Sequence, residues 1–263
     1  MLLGYSHDEN FSSTVRTIMK STVKVFQVLE TICSDGAMSL TELTRKLDEK
    51  KSSMHRFLNV LSSTGYIEKD GYSKKYYPTL KIFHLGVSAR NRKFSLHLVR
   101  PYMESLSRQC GETVNLGLFM DGKVIVVDRV ESSEPLRTDL GIGTVLPAHS
   151  TAMGKVFLAD LTEEELDRHI HEHGLKSFTS KTVTSPEKLK KDLKAVRDRG
   201  YSLDDRELGE GIRCIAAPIK GSWGRVLAAL SISGPSTRLS LKQLNSLRRP
   251  LIALAGEMGD RLG

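Results

Sequence analysis

Residues 39–61, SLTELTRKLDEKKSSMHRFLNVL, decide how this chain is read. Ser39 followed three residues later by Glu42 is a capping box that opens a short helix with Leu40, Leu43 and Leu47 on its apolar side. Asp48-Glu49-Lys50-Lys51 make a charged turn. Beyond it, Met54, Phe57, Leu58 and Leu61 recur at i, i+3, i+4 and i+7, one face of a second helix. The other face presents Ser52, Ser53, His55, Arg56 and Asn59, donors and acceptors suited to phosphates and base edges. Helix, tight turn and polar-faced helix is the order of a helix-turn-helix, whose second helix enters the major groove of DNA.

The flanks extend this reading. Upstream, Val25, Leu29 and Ile32 predict a helix from Ser21 that stops at Asp35-Gly36, and residues 1–20 read as an unpatterned tail. Downstream of Gly65, strand-like Tyr66–Lys69 and Tyr72–Tyr77 flank Asp70-Gly71, a hairpin signal. A hairpin carrying Lys69, Lys74 and Lys75 directly after a recognition helix is a wing, placed against the DNA backbone or minor groove. Residues 21–78 are therefore expected to form a winged helix-turn-helix that binds double-stranded DNA. Its candidate contacts are Lys50, Lys51, Ser52, Ser53, His55, Arg56, Asn59, Lys74 and Lys75. Residues 79–94, with Leu80, Phe83, His84 and Val87 at helical spacing, predict a linker helix that also offers a dimer surface.

Charge points the same way. The 263 residues carry a net charge of +8, and the stretch 50–93 holds ten basic residues against two acidic ones. A basic segment suits a polyanion; charge alone leaves nucleic acid and a membrane surface both open. Three widely spaced cysteines, Cys33, Cys110 and Cys214, fit free thiols in a reducing compartment. There is no signal-peptide pattern at the start and no apolar run long enough to span a bilayer, so a cytoplasmic protein with no membrane partner is expected.

Residues 95–263 alternate helical and strand patterns. A helix over 95–110 precedes two strands, Thr113–Met120 and Lys123–Val130, joined by Asp121-Gly122. A further strand is expected near Leu136–Leu140, and a short helix at Thr151–Ala159 with Ser150 as its N-cap. Thr162–Glu165 is a second capping box, Ser185-Pro186 opens a helix that ends at Gly200, and Ser240 caps a final one. Strands fall at Tyr201–Asp204, Cys214–Ile219 and Val226–Ser233. The fold class is α+β, an antiparallel sheet flanked by helices.

No catalytic, cofactor or metal motif stands out. Gly154-Lys155 lacks the first glycine and the hydroxyl residue of a phosphate loop, and Gly141-Ile142-Gly143 lacks the third glycine of a dinucleotide fingerprint. His169, His171 and His173 read as an exposed helix end in preference to a metal site. An enzyme built on Cys214 with His149 and Asp204, or a ligand-sensing module that binds protein, are the weaker alternatives. A ligand pocket fits better: Ser231 and Ser233 share one face of an otherwise apolar strand, and the helix start at Thr151 offers N–H groups to an anion.

Several segments carry a resemblance to a known family. They are Lys50–Leu58, Leu146–Lys155, Tyr201–Asp205, Glu210–Ile219 and Ala229–Pro235, in that order. Over nearly its whole length the chain resembles the IclR family of bacterial transcriptional regulators. The resemblance implies a winged-helix domain, a linker helix and a GAF-like effector domain at 95–263. It also implies homodimers that pair into tetramers, and control by a small organic acid. Carried over position by position, it implies effector contacts at Ala152, Met153, Asp204, Cys214, Ser231 and Ser233, with Ile212 on the apolar side. Ala152-Met153 stands where the member that senses glyoxylate and pyruvate has the smaller pair Gly-Ala. Ser52-Ser53 replaces the usual Ser-Thr, and Tyr76–Lys81 looks more like members that control sugar-acid catabolism.

Overall fold

The computed structural model describes residues 13–93, 96–138 and 140–262. The chain divides into two compact units, one ending at Ala89 and the other beginning at Arg90.

In the first unit, helices α1 (Ser13–Asp35), α2 (Leu40–Lys46) and α3 (Lys51–Ser63) precede a two-stranded hairpin, β1 (Ile67–Lys69) and β2 (Tyr76–Pro78). The Ser39–Glu42 capping box forms in both directions, the Glu42 carboxylate accepting the Ser39 N–H and Ser39 Oγ accepting the Glu42 N–H. Val28, Ile32, Leu43, Met54, Phe57, Leu58, Leu61, Ile67 and Tyr76 form one core. Two expectations need correction here. Helix α1 starts at Ser13, inside the stretch 1–20 read as a tail; residues 1–12 of that stretch lie outside the described residues. The wing is not turned by Asp70-Gly71 alone: β1 ends at Lys69 and β2 begins at Tyr76, with Lys69 opposite Tyr76. The Asp70 carboxylate accepts the Ser73 N–H at 2.6 Å, and Lys74 takes a positive φ of 57°, which sets a longer loop. Helix α4 (Leu80–Lys93) follows, with Leu80, Phe83 and Leu85 exposed.

The second unit opens with α5 (Leu96–Cys110). Then come β3 (Thr113–Met120), β4 (Lys123–Val130), β5 (Val145–Pro147), α6 (Ala152–Asp160), α7 (Glu163–His173) and α8 (Pro186–Arg199). Strands β6 (Ser202–Asp205), β7 (Ile212–Lys220) and β8 (Val226–Pro235) precede α9 (Leu241–Leu262). The six strands form one antiparallel sheet in the order β5-β4-β3-β8-β7-β6. The two-residue strand period sorts its side chains. Val114, Leu116, Ile215, Ala217, Ile219, Ala228, Leu230 and Ile232 pack against α5 and α9. The residues between them, Ala216 and Ala229, pack with Val124 and Val126 against Ala152, Met153, Val156 and Phe157 of α6. Helix α6 is buried on every side, because α8 covers its outer face.

Two further readings are revised. Thr151, not Ser150, is the N-cap of α6; its Oγ accepts the Gly154 N–H at 3.1 Å. The described residues of 136–140 are not strand, and Asp139 lies outside them. Arg129 explains this: its guanidinium donates to the Thr138 and Leu140 carbonyls, which a strand would commit to a ladder.

Gly154 permits the close approach of α6 to residues 146–149, since a Cβ there would overlap the Ala148 backbone. Gly154→Ala is expected to destabilise the second unit by about 1–3 kcal/mol or more. Gly86→Ala, at an exposed helical position with open space around it, is expected to stabilise by up to about 1 kcal/mol. Urea melts of both variants check the contrast.

Candidate DNA-reading and effector sites

Helix α3 turns Met54, Phe57, Leu58 and Leu61 into the core, and this sets its outward face. Lys51, Ser52, His55, Arg56 and Asn59 are exposed together, and Ser53 is half-buried. Asn59 Nδ2 lies 3.2 Å from His55 Nδ1, so one turn of the face is tied to the next. Lys50 is the N-cap and supplies no side-chain cap, and no acidic residue occupies the first turn. The N–H groups that start the helix, flanked by Lys50 and Lys51, suit a phosphate. In the wing, Lys74 Nζ donates to the Gly71 carbonyl at 2.5 Å, while Lys75 pairs with Glu42 at 3.9 Å. Tyr72 at the loop tip is 98% exposed.

In the second unit the seven residues Ala152, Met153, Asp204, Ile212, Cys214, Ser231 and Ser233 all line one cavity. Strand register brings four of them together: Asp204 lies opposite Cys214, Cys214 opposite Ser233, and Ser231 two residues along the same face. Ala152 and Met153 open α6, and their N–H groups precede any intrahelical partner. Ser202 Oγ donates to the Ala152 carbonyl and so ties β6 to this helix start.

The cavity also holds residues that the sequence reading missed. Asn115 lies opposite Ser231 across β3 and β8. Its Nδ2 donates to Ser233 Oγ at 3.0 Å and to Ser231 Oγ at 3.4 Å. The signal was present, since Asn115 sits between Val114 and Leu116 just as Ser231 sits between Leu230 and Ile232. Thr138 is not in the lining but backs it, with Oγ1 3.1 Å from Ser233 Oγ, and its chain segment carries no periodicity. Leu140, Leu146, Thr151 and Leu208 complete the wall. The space left is about 20 Å³, room for one water molecule.

Electrostatics mark Asp204. It is 1% exposed; Oδ1 accepts the Glu207 N–H at 2.6 Å, and Oδ2 has no partner. Burial pushes its pKa up to about 7, with the Glu207 carboxylate adding to the rise. The Cys214 thiol is pushed well above its usual range by burial and then by Asp204. A thiol held protonated in this way is a poor nucleophile, which removes the chemical basis for an enzyme built on Cys214. His149 Nε2 donates to the Lys176 carbonyl at 2.9 Å.

In the histidine tract, His171 and His173 are exposed in the last turn of α7 as expected, and His169 is the departure. His169 is buried, 6.1 Å from Phe119 and 4.7 Å from His173 between ring centres. Burial, followed by the two neighbouring histidines His173 and His149, lowers its pKa to about 4. No cluster of three metal-ligating side chains exists among the described residues. No described helix is long and apolar enough to cross a membrane.

Comparison with known proteins finds a match for each of the two units. Residues 21–71 match the family described as the IclR helix-turn-helix domain, and residues 95–259 match that described as bacterial transcriptional regulator IclR C-terminal. The chain is 34% identical to the HTH-type transcriptional regulator KdgR of Escherichia coli over 93% of each protein. It is also 34% identical to the transcriptional repressor IclR of Escherichia coli, over 91% of this chain and 89% of that one. A crystal structure of a transcriptional regulator from Rhodococcus sp. RHA1 superposes with a TM-score of 0.78 at 31% identity, covering 92% of this chain and 98% of that one.

The raised Asp204 pKa has a stability consequence. The folded state holds a proton there up to about pH 7, while the unfolded chain releases it near the ordinary value of 3.8. Stability from this group therefore falls as pH rises from about 4 through 7. Asp204→Asn removes the penalty, so its stability relative to the native protein is expected to rise by about 2–3 kcal/mol between pH 5 and 8. Parallel urea melts at the two pH values read this out, and a pH-independent difference would refute the assignment.

Proposed function

The chain belongs to the IclR family of bacterial transcriptional regulators, and from that premise we propose that it represses a catabolic operon until a small organic acid occupies the cavity of its second unit. Residues 21–78 act as the DNA-binding domain, 79–94 as the linker helix and 95–263 as the effector domain. The observation that carries the effector reading is the meeting of Asp204, Cys214, Ser231, Ser233 and the start of α6 around one cavity. A ligand carboxylate is received by the Ala152 and Met153 N–H groups, and a protonated Asp204 donates to it from Oδ2. Ile212 and Leu208 supply the apolar wall.

The acid has to make room for itself, because 20 Å³ holds one water. Met153 is the side chain suited to yield, being unbranched and flexible. Its Sδ already occupies the space above Gly117, 2.8 Å from where a Cβ would stand. Ala152-Met153 thus sets effector size.

On the DNA side, Ser52, Ser53, His55, Arg56 and Asn59 read base edges, with Lys50, Lys51, Lys74 and Lys75 on phosphates. The operator is palindromic and the protein a homodimer or a tetramer of dimers, with exposed Leu80, Phe83 and Leu85 of α4 as the self-association surface. The regulator works in the cytoplasm without a membrane partner. Effector binding changes DNA affinity only as far as the acid prefers one arrangement of the oligomer over the other.

Arg56→Ala is expected to weaken binding to DNA upstream of the protein's own gene by about 10- to 100-fold in gel-shift titration. The double variant Ser231→Ala with Ser233→Ala should keep that DNA affinity. It should lose the release caused by whichever of glyoxylate, pyruvate, lactate or glycerate shifts the native protein's thermal midpoint. Release that persists undiminished in the double variant, or a native protein that none of the four acids shifts, counts against the cavity as the place where such an acid acts.

A further inference from the structure

Lys155 stands one turn beyond Ala152 on α6 and is 2% exposed. Its Nζ donates to Glu207 Oε1 at 2.6 Å and to Asp192 Oδ2 of α8 at 2.8 Å. Burial works against the charge, but the Glu207 and Asp192 carboxylates outweigh it and hold the lysine pKa above its ordinary value. A buried ion set of this kind is weak evidence for stability, since desolvation offsets most of the attraction. Its position suggests another use.

Glu207 is the residue that Lys155 grips, and it is gripped from three directions. Its carboxylate pairs with Lys155, its N–H donates to Asp204 Oδ1 at 2.6 Å, and its carbonyl accepts from Thr182 Oγ1 at 2.6 Å. The preceding residue, Arg206, has a φ of +67°, a region that residues with a Cβ rarely adopt, and its carbonyl accepts from Thr179 Oγ1 at 2.7 Å. One residue further on, Leu208 enters the cavity wall, and Ile212 re-enters it as β7 begins. The course of residues 206–211 across the cavity is therefore not dictated by a strand ladder. It is set by these anchors at its start and by Ser236 at its end, whose N–H and Oγ donate to the Gly211 and Glu210 carbonyls; the buried cation among them comes from α6.

We infer that Lys155 is a positioning residue of this cavity: it clamps Glu207, and through Glu207 it holds the strap 206–211 closed over the cavity and keeps Asp204 aimed into it. Glu207 Oε2 has no partner even in the native protein, so without the lysine neither oxygen of this buried carboxylate beside Asp204 is paired. Turning it out to solvent relieves that cost, lifts Leu208 away and releases Asp204 Oδ1. The inference deepens the effector reading and rests on it for its regulatory meaning, but the clamp itself is a property of the protein without any acid.

Cys214 reports on the clamp, because its thiol lies inside the cavity. The experiment is labelling of the full-length protein with N-ethylmaleimide under native conditions, with no acid present, followed at Cys214 by peptide mass spectrometry. Lys155→Met is expected to speed labelling of Cys214 at least about 10-fold, which corresponds to about 1.4 kcal/mol of easier opening. Lys155→Arg should return it close to the native rate. Glu207→Gln, which keeps size but removes the charge that Lys155 grips, should also accelerate it and stands in if Lys155→Met does not fold. Leu251→Ala serves as a control, since it opens a hole in the core on the other face of the sheet. A native rate in Lys155→Met, or in Glu207→Gln where that variant stands in, overturns the inference. So does an equal acceleration in Leu251→Ala, because the effect is then global. As no acid enters this assay, its outcome is independent of the tests of the effector reading.

Discussion

A sheet buried on both faces cannot leave polar side chains without partners, and much of the second unit follows from that constraint. Strands β3, β7 and β8 give one set of alternating residues to the apolar core against α5 and α9. The alternate positions carry Asn115, Cys214, Ser231 and Ser233, and α6 closes over them. Leaving such groups unpaired costs about 1–3 kcal/mol each. Asn115 meets most of the need by donating to both serines, and Thr138 meets Ser233 from the loop. Asn115's own Oδ1 remains without a partner, as does Asp204 Oδ2 at the edge of the row. The same arrangement that satisfies the serines therefore leaves two cavity-lining oxygens unpaired, Asn115 Oδ1 and Asp204 Oδ2, and buried groups in that condition suit a ligand.

The two units are held to their tasks by different physics. In the first, the core takes one face of α3 and leaves the other in solvent, so the reading face is simply what the core does not use. In the second, the residues proposed to meet the effector lie inside. Their environment is dry, charges there are costly, and their protonation states are shifted, as the directions for Asp204 and Cys214 show. A surface that recognises a polyanion gains from exposed cations screened by salt. A cavity that recognises a small acid needs few groups, well oriented and shielded from water.

This difference governs how much could be read from the sequence. The exposed face of α3 was legible because helical period sorts Met54, Phe57, Leu58 and Leu61 from Ser52, His55, Arg56 and Asn59 without any knowledge of the rest of the fold. The capping boxes at Ser39, Thr162 and Ser240 are equally local and form as expected. Ser231 and Ser233 were legible by the two-residue period, and Asn115 was available to the same argument. Thr138 was not, because its place is set by Arg129, a residue nine positions away that captures carbonyls and not by any pattern in its own segment. The N-cap of α6 differed by one residue because serine and threonine are both good caps and only the path of the chain chooses between them. His169 was misplaced because hydrophobic pattern says little about an imidazole, which packs against Phe119 as readily as it meets water.

Lys155 shows the limit most clearly. In sequence, Gly154-Lys155 looks like the remnant of a phosphate loop, and a lysine is expected at the surface. Its burial is explicable only once three separate segments are assembled: α6, Asp192 of α8, and Glu207 after β6. Gly154 lets α6 approach Ala148 closely, which fixes the helix in place, and the next residue then projects into the gap where the two carboxylates wait. The cavity is left with room for a single water, so an acid can enter only by displacing Met153 or the strap that Lys155 restrains. On the proposed reading, an acid that fits the opened form and not the closed one has different affinities for the two, and without such a difference occupancy could not alter anything outside the cavity.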